Sequence, residues 1–345
     1  QNVKFYKDDL KQNQVEVKNW YFFRDLSNYK IDWTIVENGK QIENGTITGL
    51  DIKPQQSKVL DIPFKTSIKN SKEYFVNLSV KLINTEPLID AGFEIAKAQF
   101  LLNSEEVKSQ EPKVMAGELN STNSDASITV FNNNFKIEFS KASGTLINYE
   151  FGGETIINQG AQINFWRAPV DNDYGANTPN VYRKWLTQGK ENLNVSHEVI
   201  KLDNGIKIVF NQKMLDGDAS FKQTYVVAPD GTIQVENDFK TLKGKAKIDA
   251  RKNYKFKKNE HPNIYKFGNE FVIPKSFNLV NWYGRGPEES YIDRKNSTDV
   301  GLYKSSVSDL FTMYARPQEN GNRTDVRWVE LSNDKGVSLR FYGPE

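Results

Sequence analysis

YKIDWTIVENGK, residues 29–40, decides the class of fold. Tyr29, Ile31, Trp33 and Ile35 alternate with Lys30, Asp32 and Thr34, so an extended chain puts apolar side chains on one face and polar ones on the other. Asn38-Gly39 follows at once, a pair that accepts the left-handed backbone of a tight hairpin. YFVNLSVKL, residues 74–82, repeats the pattern with Tyr74, Val76, Leu78, Val80 and Leu82, and Ala96, Ala98, Phe100 and Leu102 supply a third apolar face. Strands with one apolar face each bury it most simply as a two-sheet sandwich. Nothing in this stretch predicts a helix longer than about two turns.

From Ser104 to Asp125 the alternation dissolves into a polar, charged run rich in Ser and Asn, which reads as a surface linker. Strand patterns return in SITVFNNNFKIEF (127–139), GTLINYEFGGETII (144–157), GIKIVF (205–210), TYVVAPDGTIQVEND (224–238), with a turn at Pro229-Asp230-Gly231, and DVRWVELSNDKGVSLRF (325–341). This second region is too long for an immunoglobulin-type module and predicts a large antiparallel sandwich. The expected organisation is therefore 1–105 as a first sandwich, 106–125 as a linker and 126–345 as a second, larger one.

The composition excludes several chemistries. The chain has no cysteine, so it holds no disulfide, thiolate metal site or cysteine nucleophile. Its two histidines, His197 in NVSHEVI and His261 before Pro262, lie outside the unusual segments, and there is neither an HExxH nor a GxSxG motif. A net charge of +2 gives no reason to expect nucleic acid or an anionic membrane as partner, and the basic run KGKAKIDARKNYKFKK (243–258) reads as solvated strand faces. No segment is apolar for long enough to be a membrane helix. The N-x-[ST] sequences at Asn44, Asn77, Asn120, Asn194, Asn296 and Asn322 carry no weight in an Asn-rich chain.

Two segments break the strand rhythm. In NFWRAPVDNDYGANTPNVYRKW, residues 164–185, Asn164, Arg167, Asp171, Asn172 and Asp173 stand beside Trp166 and Tyr174. Residues 281–328 carry Arg285, Glu288, Glu289, Asp293, Arg294, Arg316, Glu319, Asn320, Asn322, Arg323, Asp325 and Arg327 among Trp282, Tyr283, Tyr291 and Tyr314. Neutral sugars are held by such carboxylates, amides and guanidinium groups, with an aromatic face against the apolar side of the ring. The same residues also lock loops together, since arginine and carboxylate meet in fork-like hydrogen bonds. That structural network is the reading taken for Arg167, Asp171, Arg285, Glu288, Asp293, Arg294, Arg316, Glu319, Asn320 and Arg323. Trp166, Trp282 and Trp328 are expected to close the core or an interface. Gly175 follows an acidic turn and reads either as a hinge or as an ordinary tight turn; beyond it Asn177 or Thr178 caps a short helix with Pro179 at its first position. Sequence spacing leaves open whether Asp171 with Asp173, or Glu288 with Glu289, has the separation of a glycosidase pair. DNDYG resembles a calcium loop only at its start, because the later ligands are missing.

FWRAPVDNDYG (165–175), WYGRGPEESYIDR (282–294), GLYKSSVSDLFTMYARPQENGNRTDVRW (301–328) and the opening QNVKFY (1–6) occur in one order across the chain. Together they resemble the carboxy-terminal region of family 2 glycoside hydrolases of the large bacterial beta-galactosidase type. The resemblance implies an all-β chain: an immunoglobulin-like β-sandwich followed by a large antiparallel super-sandwich similar to galactose mutarotase. It implies that the nucleophile and general acid, two glutamates, sit on a (β/α)₈ barrel that this chain lacks, with magnesium and sodium sites there and none in this chain. It further implies that a loop starting at Gly175 contributes to the rim of the sugar pocket, with Asp173, Gly175, Ala176, Asn177 and Thr178 as candidates. ANTPNVYRKW departs from the family in length and composition.

The family's sugar-stacking tryptophan has no counterpart before the chain stops at SLRFYGPE, so a boundary within the second domain is expected. The expected function is the non-catalytic part of a retaining beta-galactosidase, inactive on its own. Its partners would be the catalytic barrel of the same polypeptide, a galactoside and further copies of the parent in a homo-oligomer. The resemblance and composition favour a bacterial periplasm over the cytoplasm. Alternatives are a stand-alone carbohydrate-binding or mutarotase-like protein, and a structural module with Asp173, Gly175 and Glu288 buried in domain contacts.

Overall fold

The computed structural model describes residues 1–7, 11–103, 117–190, 196–241 and 264–343. The basic run 243–258, His261, the sequon at Asn194 and residues 106–116 of the expected linker lie outside the described residues. Those described form five antiparallel sheets and only short helical turns, an all-β architecture.

The alternating segments become strands in the expected orientation. Tyr29–Glu37 pairs with Lys40–Ile47 across the turn at Asn38 and Gly39, whose φ values of 45° and 81° are the left-handed conformations that the pair tolerates. On its other side Tyr29–Glu37 pairs with Tyr74–Leu82, which pairs in turn with Glu94–Leu101. Tyr29, Ile31, Trp33, Ile35, Tyr74, Val76, Leu78, Val80 and Leu82 are all buried. They pack against Val3, Phe5, Val15 and Val17 from a three-stranded sheet of Val3–Tyr6, Gln14–Asn19 and Ser57–Asp61. Burial of each such side chain contributes about 1.5–3 kcal/mol, so this shared core supplies the stability of the first sandwich.

The larger region repeats the principle. Ile128, Val130, Ile137, Phe139 and Leu146 belong to a seven-stranded sheet, and Ile206, Ile208, Phe210, Tyr225 and Val227 belong to a four-stranded one. Their side chains form one core between the two. A further four-stranded sheet holds Asp299–Ser306, Leu279–Gly286, Trp328–Ser332 and Ser338–Tyr342 in that order.

Two segments differ from the sequence reading. Asn120–Asn123, within the run read as linker, is a strand paired with Ser127–Phe131. All four of its residues are exposed, and an edge strand wet on both faces leaves no apolar alternation to read. Residues 281–328, read as one long loop, take in most of the strand Leu279–Gly286 and all of Asp299–Ser306, which pair with each other. The glycines in NWYGRG masked the first. A Cβ on Gly284 would lie 2.7 Å from the Cα of Val326, and one on Gly286 2.7 Å from the ring of Tyr303, so these glycines mark close approach within a strand.

Candidate functional site

Phe165 and Trp185, both buried, bring the ends of the 164–185 segment together, with ring centroids 5.1 Å apart. Ile163, Met214, Leu215, Ala219 and Phe221 complete the cluster that holds them. What lies between is an excursion pinned at both ends. Asn164 steadies its start, accepting from the Trp166 N–H at 2.8 Å and donating to Glu270 at 3.1 Å.

Residues Asp171–Gly175 form one helical turn instead of an open acidic turn. The reason is Asp173. Its Oδ2 accepts from the Val170 N–H at 2.8 Å, satisfying a free donor at the start of the turn. Arg167 grips the same carboxylate with both terminal nitrogens, at 2.7 and 3.1 Å. Burial by itself would raise the Asp173 pKa, but the Arg167 and Val170 hydrogen bonds outweigh it and hold the carboxyl below its ordinary range. Arg167 also lies over the ring of Tyr265, 4.8 Å from its centroid, and Tyr182 stacks on that ring at 5.1 Å. Burial, with the Asp173 carboxylate adding to it, pushes the Tyr265 phenol up to about 12.

Gly175 ends this turn with ordinary backbone angles, and a Cβ added there would meet open space, so nothing in its conformation demands glycine. The left-handed residue is Asn177, φ 56°, immediately before the short helix Thr178–Val181. Asn177 occupies the capping position, but its side chain bonds no helix N–H; it accepts instead from the Asn180 amide at 2.7 Å. Pro179 is the second helical residue, one later than expected. Thr178 donates its hydroxyl to the Asp173 carbonyl at 3.0 Å.

The two unusual segments meet. Glu319 accepts from the Ala168 N–H at 2.9 Å, Arg316 donates to Asp171 at 3.1 Å, and the Arg316 guanidinium lies 4.6 Å from the ring centroid of the half-exposed Tyr174. Behind this junction the second segment is tied to itself. Arg285 bonds Asp325 at 2.5 Å and the Thr298 carbonyl at 2.6 Å. Burial raises Asp325, but Arg285 and then Lys295 outweigh it and hold the carboxyl low. Glu289 accepts from Arg294 at 2.6 Å and from the Gly321 N–H at 2.8 Å. Arg323 donates to the carbonyls of Gly321 and Pro287, and Asn320 accepts from the Thr312 N–H at 3.3 Å. Trp282 is buried, with its ring centroid 5.3 Å from that of Tyr303; Trp166 and Trp328 are half-buried against Tyr265 and the Val36–Phe75–Tyr283–Val300 cluster.

Glu288 and Asp293 are both exposed, and neither enters an ion pair among the described residues; Glu288 acts on the network only through space, its charge favouring the Arg323 cation. Their neighbours Glu289 and Arg294 take the network's bonds instead, a choice that spacing does not reveal. Asp171 and Asp173 diverge in the same way, one paired outward with Arg316 and one inward with Arg167. His197 is exposed on the strand Ser196–Leu202.

Sequence reasoning missed two residues. Tyr265 is the platform beneath Arg167, Trp166 and Tyr182. Glu73, in SKEYFVNL, accepts from Arg327 and Tyr283 far along the chain. No local pattern marks either, because their partners are distant in sequence.

Residues 131–343 match the family described as beta galactosidase small chain, and residues 15–103 match beta-galactosidase, domain 4. Among curated relatives, the beta-galactosidase of Priestia megaterium is 30% identical over 351 residues, covering 99% of this chain and 32% of the relative. Those of Halalkalibacterium halodurans and Streptococcus thermophilus are 26% and 29% identical, covering 98% and 99% of this chain and 33% and 31% of themselves. The chain thus spans about a third of the length of the curated relatives it matches.

Proposed function

This chain belongs to the beta-galactosidase small chain family, and on that premise we propose that it is the non-catalytic carboxy-terminal part of a retaining beta-galactosidase. The parent cleaves terminal β-D-galactosyl linkages through a covalent galactosyl-enzyme, with nucleophile and general acid on a separate barrel domain. The observation that carries the non-catalytic reading is the state of the loop carboxylates. A retaining site needs two carboxyls roughly 5–5.5 Å apart, one of them an acid with a raised pKa. Here Asp173 and Asp325 are each held by an arginine and pushed the other way. Asp171, Glu289 and Glu319 are likewise engaged with Arg316, Arg294 and the Ala168 N–H, and Glu288 and Asp293 lie exposed to water rather than in an enclosed acid site.

The chain's own contribution is to shape the rim. Arg167 and Asp173 fix the turn, so that Gly175, Ala176, Asn177 and Thr178 are presented on a set backbone. Positioning of this kind lowers the entropic cost of binding. The exposed ring of Tyr174 offers an apolar face to a sugar, and the neighbouring Asn172 offers an amide to its hydroxyls. Magnesium and sodium would act in the barrel. Shaping the rim requires neither ion. The barrel of the same polypeptide and further copies of the parent are the proposed partners.

Turnover of an aryl β-galactoside tests the proposal, with this chain and the full-length polypeptide assayed side by side. Colour release by the full-length protein alone is expected. A comparable rate from the 345-residue chain would overturn the non-catalytic reading.

A further inference from the structure

Glu73 begins in a tight backbone embrace. Its N–H donates to the Asn38 side chain at 2.9 Å, and its carbonyl accepts from the Asn38 N–H at 2.8 Å, so the hairpin turn of the first sandwich sets its position. Its carboxylate, 9% exposed as a residue, points at the last sheet of the second region. Arg327 grips both oxygens, Nε to Oε2 at 3.1 Å and Nη2 to Oε1, and the Tyr283 hydroxyl donates to Oε2. Val36, Phe75, Tyr283 and Val300 pack into one apolar cluster, and the Arg327 guanidinium lies 6.0 Å from the ring centroid of Phe75 and 5.6 Å from that of Tyr283. Gly39 completes the fit, since a Cβ there would lie 2.5 Å from Leu302.

Arg327 does more than close this contact. Its guanidinium also donates to the Asp325 carbonyl, and its own N–H bonds the Tyr283 carbonyl at 2.8 Å. Asp325 is the residue that Arg285 and Lys295 hold. Upstream, Asn322 and Ser290 exchange two hydrogen bonds, at 2.7 and 2.8 Å, and then come Glu319 and Arg316, which hold Ala168 and Asp171.

We infer that Glu73 is a positioning residue: from the first sandwich it fixes, through Arg327, the loop that holds residues 168–174 in place. The physical reason is the cost of leaving a partly buried guanidinium without its counterion. With Glu73 neutralised, Arg327 swings toward water and releases the Asp325 carbonyl, so the end of the loop bearing Arg316 and Glu319 loses its anchor. A second ion pair at the same interface, Lys97 with Asp299 at 2.9 Å, has no such route, because its partners stand on two strands, Glu94–Leu101 and Asp299–Ser306, each paired within its own sheet. It is the natural control.

Hydrogen exchange read by mass spectrometry on the 345-residue chain tests this without any need for activity, so its outcome is independent of the glycosidase reading. The reporters are the amides of Ala168, held by Glu319, and Val170, held by Asp173. Glu73→Gln is expected to speed exchange at both by about tenfold, with Tyr74–Leu82 unchanged, while Lys97→Met stays within about twofold of the parent. Unchanged reporters in Glu73→Gln, or equal acceleration in Lys97→Met, would overturn the inference. Should Glu73→Gln not fold, Tyr283→Phe removes one donor to the same carboxylate and is read by the same two amides.

Discussion

The strand pair Tyr29–Glu37 with Tyr74–Leu82 and the loop pair 164–185 with 311–327 are both tightly fixed, by opposite means. In the strands Ile31, Trp33, Val76 and Leu78 are held by exclusion from water, a force without direction that tolerates any residue of suitable size. In the loops the order comes from directional, charge-assisted bonds: Arg167 to Asp173, Arg285 to Asp325, Glu289 to the Gly321 N–H, Glu319 to the Ala168 N–H. Area stabilises the scaffold, and aim stabilises the loops. A loop built by aim can present Tyr174, Asn172 and Asn177 at set positions while leaving them wet, which a hydrophobic core cannot do.

The contrast is open to measurement. Leu78→Ala should give the largest loss, about 3 kcal/mol of unfolding free energy by urea titration, because the site is 1% exposed and enclosed by paired strands. A loss below about 1 kcal/mol would mean that the first core is not tightly packed around Leu78. Arg167→Ala should cost less, about 2 kcal/mol, since it leaves the buried Asp173 without its fork. The loss should come with altered near-ultraviolet dichroism from Trp166 and Tyr265; a change in melting temperature with identical aromatic signals would place the damage elsewhere.

Acid should erase the second effect and spare the first. The folded pKa of Asp173 lies below the ordinary aspartate value of 3.8, so its contribution is complete above that value and is lost as pH falls through the lower, folded one. Melting curves taken from neutral pH into acid should therefore show the gap between Arg167→Ala and the parent protein narrowing once the pH falls below 3.8, while the gap for Leu78→Ala stays. A constant gap for Arg167→Ala would show that the pair is not what the substitution removed. The smallest effect is expected from Arg316→Ala. Both partners of the Arg316–Asp171 pair are more than half exposed, so water and salt screen it, and the stability change should stay under about 0.5 kcal/mol. Anything larger would mean that Arg316 acts through its stacking on Tyr174 more than through its charge.

How much of this was legible in the chain follows the same division. The faces of Tyr29–Glu37 and Tyr74–Leu82 could be read directly, because a period of two is a local property of the sequence. The Asn38-Gly39 turn was legible for the same reason. Leu279–Gly286 was not, because its glycines look like turn residues unless Val326 and Tyr303 are seen lying against them. DNDYG looked like an open turn because the bond from the Val170 N–H to Asp173 becomes visible only once the helix exists. The arginine-rich loops announced that a network would form, but Glu288 and Asp293 could not be told from Glu289 and Asp325 without the direction of each side chain.

The sequence by itself determined the all-β class, the buried face of the main strands and the family to which the motifs belong, since each is encoded in neighbouring residues. Only the tertiary structure decided which carboxylate meets which arginine, that Gly175 needs no special backbone, that Tyr265 underlies the 164–185 segment, and that Glu73 reaches Arg327 across 254 positions of chain. Partners so far apart leave no local trace. They are brought together by the packing of whole sheets, and the direction of a hydrogen bond is set only when that packing is complete.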